Sequence, residues 1–98
     1  MPFLNRLKAI GQERLPVGAT AVGLARSNFL ARVAQTALLT VETATIRYFT
    51  DGTTATSTTG TLVYPGGEIE LENPGEIESF SAIRTGTVSA TIQAVYHG

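Results

Sequence analysis

The chain has no cysteine and a single histidine, His97, in 98 residues. The first absence excludes disulfides and thiolate metal sites and leaves the redox compartment open. The second leaves no partner imidazole or thiolate from which a zinc site could be built. His97 stands beside the last residue given and is expected to be solvated. A frayed position lacks the orienting shell that a Ser-His-Asp triad needs around its imidazole.

Long apolar runs are missing too. No stretch reaches the roughly 18–20 residues of a membrane-spanning helix, so no membrane partner is expected. The longest uncharged run near the start, Leu15 to Ala25, follows basic residues and weakly imitates a secretory signal. Pro16, Gly18 and Gly23 interrupt it and Arg26 follows at once, so it is expected to be retained. Asn5, Asn28 and Asn73 all lack the hydroxyl residue of a glycosylation acceptor. Asp51-Gly52 lacks the spaced carboxylates of a calcium loop. Gly66-Gly67 is not followed by a phosphate-cradling Gly-Lys-Ser/Thr, which makes it a turn. Nothing in the residues supports an enzyme or a cofactor.

Charge is low but unevenly placed. The net charge is −1, which gives no reason to expect a nucleic-acid partner. Residues 1–34 carry Arg6, Lys8, Arg14, Arg26 and Arg32 against Glu13. Residues 35–98 carry Arg47 and Arg84 against seven acidic residues. A basic head on an acidic body fits self-association or docking to an acidic surface, and equally fits charge placed only for solubility.

What is present is mostly β-pattern. One domain is expected at this length. Ala37, Leu39 and Val41 alternate with Leu38, Thr40 and Glu42, a strand apolar on both faces and so near a sheet centre or an interface. Further strands are read at Ala44–Phe49, Thr61–Tyr64, Glu68–Glu72, Ile77–Arg84 and Val88–Tyr96. Asp51-Gly52, Pro65-Gly66-Gly67, Asn73-Pro74-Gly75 and Gly86 break them. In Glu68-Ile69-Glu70-Leu71-Glu72 the aliphatics point inward and the glutamates outward. Like charges on that face repel a second copy of the same edge. Glycosidase carboxylates lie across a cleft on separate elements, which three in-line glutamates do not offer. The last strand is long and expected to be central. Val88, Ala90, Ile92, Ala94 and Tyr96 form one of its faces. Seven threonines within residues 50–61 read as an exposed loop or edge strand. Tyr48, Phe49, Tyr64 and Tyr96 are expected in the core, with a stacking platform as the functional alternative.

The first 35 residues differ. Phe3, Leu7 and Ile10, joined by Leu4, share one face if residues 3–10 are helical. Pro2 suits the start of that helix and Gly11 its stop. Residues 16–25 read as an extended arm or a weak strand. Residues 27–36 stay open between helix and loop. The expectation is a mainly β chain: a small antiparallel β-sandwich or barrel over residues 36–98, preceded by an N-terminal arm over residues 1–35 that contains a short helix.

From Ala37 to Tyr96 the order of residues resembles a group of small β-sandwich proteins encoded in the structural-gene regions of tailed bacteriophages. The resemblance rests on Arg47-Tyr48, Asp51-Gly52-Thr53, Gly60-Thr61-Leu62, Pro65-Gly66-Gly67, Phe80-Ser81-Ala82-Ile83-Arg84 and Ser89-Ala90-Thr91-Ile92. Ala55-Thr56 stands where such proteins carry Pro-Thr. The resemblance covers about 60 residues and implies a virion structural protein, foremost a head decoration or cement protein on the capsid surface. Its implied partners are the major capsid protein and further copies of itself, with a homotrimer as the expected state. It implies no catalytic residues and no cofactors. Tail, connector or fibre-base components remain the alternatives, with a carbohydrate-binding module behind them.

A cement protein needs buried apolar area and a reach to a second subunit. Phe3, Leu4, Arg6, Leu7, Lys8, Ile10 and Arg14 are the expected capsid or oligomer contacts. Burying four large apolar side chains contributes about 6–10 kcal/mol gross. Ordering a dozen residues costs about the same, at roughly 1–2 kcal/mol each. One arm therefore binds weakly, and repetition around an oligomer makes it strong.

Overall fold

The computed structural model describes residues 9–24 and 34–98, and in them seven strands and one short helix follow in order. The strands are β1 (Ala9–Val17), β2 (Thr36–Glu42), β3 (Ile46–Phe49), β4 (Thr61–Val63), β5 (Glu68–Leu71), β6 (Ser81–Arg84) and β7 (Ala90–His97). The helix, α1, spans Pro74–Ser79, between β5 and β6. One sheet has the order β1-β7-β2-β5 and the other β4-β3-β6. Every neighbouring pair is antiparallel.

Period-two alternation places the core between the sheets. Ala37, Leu39 and Val41 of β2 and Ala90, Ile92, Ala94 and Tyr96 of β7 face inward and are buried. Ile46 of β3 and Ala82 of β6 meet them from the other sheet, and all belong to one apolar cluster. Complete burial of Leu39, Ile46, Leu71 and Ile92 contributes about 1.5–3 kcal/mol each. β2 and β7 hold the interior positions that their length and apolar faces predict. Ile69 and Leu71 are buried and Glu68, Glu70 and Glu72 exposed, as the alternation of β5 predicts.

Four expectations are corrected. Ala9 and Ile10, assigned to a helix over residues 3–10, begin a nine-residue strand that runs through Gly11. Residues 3–8 of that expected helix lie outside the described residues. As strand, the segment pairs with β7 from Ala9↔His97 to Val17↔Ala90 and buries Leu15 and Val17. The division at residue 35 shifts accordingly, because residues 9–17 are part of the sheet and not of an arm. The strand expected over Ile77–Arg84 is α1 followed by the shorter β6. The Asn73 side chain caps α1 by accepting from the Glu76 N–H at 3.0 Å, and Pro74 occupies the first turn, where its missing N–H costs nothing. Finally, His97 is not frayed: it is paired to Ala9 on one side and Thr36 on the other.

The links between sheets are tight. Residues 18–24 leave β1 and run along β6, where Val22 and Ala82 exchange backbone hydrogen bonds of 2.9 and 2.8 Å. The Arg84 N–H adds a third, to the Gly18 carbonyl at 3.1 Å. Between β2 and β3 the Ala44 N–H reaches back to the Glu42 carbonyl at 3.0 Å, with Thr43 at φ 80°. That is a γ-turn of the strained hand, unusual for a β-branched residue. Between β4 and β5, Tyr64-Pro65-Gly66-Gly67 closes on a 2.9 Å bond from the Gly67 N–H to the Tyr64 carbonyl. Pro65 in the second position and Gly66 at φ 89° in the third define a type II turn. The turn is held on β2 by Gly66 N–H to Val41 carbonyl at 2.7 Å and Val41 N–H to Gly67 carbonyl at 2.9 Å. A Cβ on Gly67 would sit 2.9 Å from the Tyr64 carbonyl oxygen, so glycine is required there.

Candidate interaction surface

Of the seven residues singled out as contacts, Phe3, Leu4, Arg6, Leu7 and Lys8 lie outside the described residues. Ile10 and Arg14 lie on β1, and the structure gives them different roles. Ile10 is half-buried and packs against the core, so it serves the fold. Arg14 is exposed, as are Gln12 and Pro16, its neighbours at two-residue spacing. These three side chains line the outer face of the four-stranded sheet at its β1 edge.

The inner face of β1 carries Glu13, Leu15 and Val17. Leu15 and Val17 enter the core. Glu13 cannot, and its carboxylate is satisfied by the hydroxyl of Tyr96, which donates to Glu13 Oε1 at 2.5 Å. Tyr96 itself is 0 % exposed. Burial, then the hydrogen bond to Glu13 and the charge of Glu13, hold its hydroxyl pKa well above the ordinary tyrosine value. Tyr96 is thus the joint between β1 and β7: an apolar ring in the core with a polar tip on a charge.

Sheet edges decide where another chain can add. β4 is three residues long. β5 is four residues long, with Glu68 and Glu70 exposed, which repels a like edge. The free side of β6 is covered by residues 18–22. β1 is nine residues long and, among the described residues, is paired on its β7 side only. It is the one long edge left open among them.

Tyr48, Tyr64 and Tyr96 do not share one surface. Tyr48 and Phe80 pack inward with ring centroids 5.8 Å apart. Tyr96 is in the core of the other sheet, whereas Tyr64, expected in the core, is 66 % exposed past the end of β4. The Thr-rich segment is a structured loop. Thr56 and Thr59 form an isolated bridge, and their hydroxyls lie 2.6 Å apart. Arg47, from β3, ties the loop down by donating from Nε to the Ser57 carbonyl at 3.2 Å and from a terminal nitrogen to the Gly60 carbonyl at 2.9 Å. At the loop's start the Thr53 N–H donates to Asp51 at 2.9 Å and lowers that carboxyl's pKa.

Among the described residues no group of three or more His, Cys, Asp or Glu is placed to hold a metal ion. No helix among them is long and apolar enough to cross a membrane. Sequence reasoning missed the Glu13–Tyr96 bond and the β1 edge. The alternation of Glu13, Leu15 and Val17 was the available signal for β1, obscured by Gly11 and Pro16, which read as breaks. No protein-family model, curated protein or solved structure matches the chain.

Proposed function

We propose that this protein is a structural component of a phage virion, a decoration or cement protein that binds across the seams of the capsid. The observation that carries the reading is how the residues of the resemblance meet in space. Arg47-Tyr48 and Phe80–Arg84, far apart in sequence, are neighbours: Arg47 pairs with Ile83, and Tyr48 with Ala82. The same Arg47 anchors the loop that follows the Asp51-Gly52 turn. The residue order that resembles the phage proteins therefore marks one working unit, a three-stranded sheet with a fastened loop.

In this reading the sandwich is a rigid body, and attachment falls to the residues that precede β1. Phe3, Leu4, Arg6, Leu7 and Lys8 supply apolar area and positive charge, and Arg14 extends that charge along the exposed face of β1. Ile10 drops out of the attachment set because the core uses it.

Deleting residues 1–8 tests this and spares β1. The expected result is a folded protein that no longer occupies heads in a particle-binding assay. Unchanged occupancy after the deletion overturns the reading. Occupancy on heads, as against tails or connectors, separates it from the other virion positions.

A further inference from the structure

We propose that β1 is the pairing edge for a second copy of this chain, joined antiparallel about a two-fold axis at Glu13. The proposal uses the sheet alone and stands apart from the capsid reading.

The argument starts from Pro16. It has no N–H, yet it sits in continuous register opposite Thr91. Proline is accommodated in a ladder where the N–H would point away from the neighbouring strand. In an antiparallel pair such positions alternate. Gln12, Arg14 and Pro16 therefore aim their backbone groups at the side left unpaired among the described residues, while Glu13, Leu15 and Val17 bond to β7. Gln12 and Arg14 each offer one N–H and one C=O to an incoming strand.

The usable window is bounded. A register irregularity lies between Ala9 and Gly11 at one end, and Pro16 lacks its donor at the other. Centring the two-fold on Glu13 sets Gln12 opposite Arg14 of the second copy and Arg14 opposite Gln12. Four backbone hydrogen bonds then form, and both irregular ends fall outside them. A centre at Arg14 would oppose two arginines and bring Pro16 into the ladder. A centre at Gln12 would pair Arg14 with the irregular region around Ile10. The strand is thus self-complementary in one register, which is what commits the edge to its own copy.

The exposed side chains agree. Arg14 lies beside a neutral glutamine, and Gln12 and Arg14 are both exposed. The one like-charge apposition is Glu13 against Glu13, and each carboxylate is already bonded by Tyr96. The result joins two four-stranded sheets into one continuous sheet. Its symmetry is two-fold, where the sequence reading expected a trimer. A two-strand seam is small beside the roughly 800 Å² per partner of a standard interface, so the pairing is weak in dilute solution and grows with concentration. Fixed in many copies on a surface, it becomes strong through effective concentration.

Because the chain lacks cysteine, an engineered thiol can form a disulfide only with another molecule. Q12C and R14C proteins are purified separately, mixed at high concentration and mildly oxidised. The expected product is the mixed Q12C–R14C disulfide, outnumbering both self-disulfides. No disulfide, or a majority of self-disulfides, overturns the proposal. Sedimentation adds a second readout: the natural sequence shifts toward dimer with concentration, Arg14→Pro stays monomeric with an unchanged circular-dichroism spectrum, and Glu13→Gln raises the dimer fraction. A natural sequence that remains monomeric throughout, or an Arg14→Pro protein that dimerises equally, overturns it.

Discussion

Replacing Tyr96 by Phe removes one oxygen from an interior strand of the larger sheet and leaves the ring. The apolar area stays buried, so the change isolates the bond to Glu13. That bond is short, 2.5 Å, and its acceptor is charged. Hydrogen bonds to charged groups contribute about 1.5–3 kcal/mol. Glu13 is half-buried and regains some water, which sets the expected loss at the lower end, about 1–2 kcal/mol. Urea unfolding of the two proteins at neutral pH measures it. The pH dependence gives an independent check. The Tyr96 pKa is raised in the folded chain above its ordinary 10.0, so the folded form keeps the proton that the unfolded form gives up. The associated stability is complete below about pH 10 and declines as pH rises past it, by about 1.4 kcal/mol per pH unit. Tyr96→Phe lacks this decline. The gap between the two proteins therefore narrows above pH 10. Equal stability at neutral pH, or a gap that is constant through the alkaline range, would refute the assignment of Tyr96 as the β1–β7 joint.

Two further substitutions test the connections. Thr43→Gly removes a β-branched side chain from φ 80°, where an L-residue costs about 1–2 kcal/mol. After the extra backbone entropy of glycine, a gain of about 0.5–1 kcal/mol is expected, read as a rise in Tm of a few degrees by calorimetry. Asn73→Ala removes the cap of α1 and is expected to cost about 1 kcal/mol in urea unfolding, because the loosened helix also carries the buried Ile77.

The strands that the sequence displays most clearly are those with one buried and one wet face. Glu68-Ile69-Glu70-Leu71 is legible because burial alternates with every residue. β2 and β7 are legible as interior strands because their faces are apolar over a length that an edge does not need. β1 is hidden for a different reason. Its partner, β7, lies at the far end of the chain, and pairing with a distant segment leaves no local mark. Its local marks, Gly11 and Pro16, are those of a break, while Phe3, Leu7 and Ile10 happen to share a helical spacing. α1 is hidden by the same double meaning. Asn73-Pro74-Gly75 suits a turn and also the first turn of a helix. Glu76, three residues after Asn73, was the signal that distinguishes them, and its N–H takes the cap while its side chain accepts from the Glu72 N–H at 2.7 Å. For the residues proposed to attach, charge and apolar content were visible in the sequence. What was not visible is that a register irregularity between Ala9 and Gly11 breaks the two-residue alternation, so that Ile10 packs on the core while Arg14, four residues on, faces solvent.

The placement of β7 between β1 and β2 also governs the order in which the protein can form. Ala9 must meet His97 across nearly the whole chain, a closure that costs about 4 kcal/mol of entropy before any contact offsets it. Such long-range topology folds in milliseconds to seconds, where helical bundles take microseconds. While β7 is missing, β1 lacks its partner and β2 lacks one of its two neighbours, so the larger sheet cannot grow strand by strand from its N-terminal side. Its strands lock together in a late step set by the arrival of a single segment. A copy whose β7 arrives late can instead accept the β7 of a neighbour, so the same arrangement that makes the finished fold cohesive leaves its folding open to strand exchange.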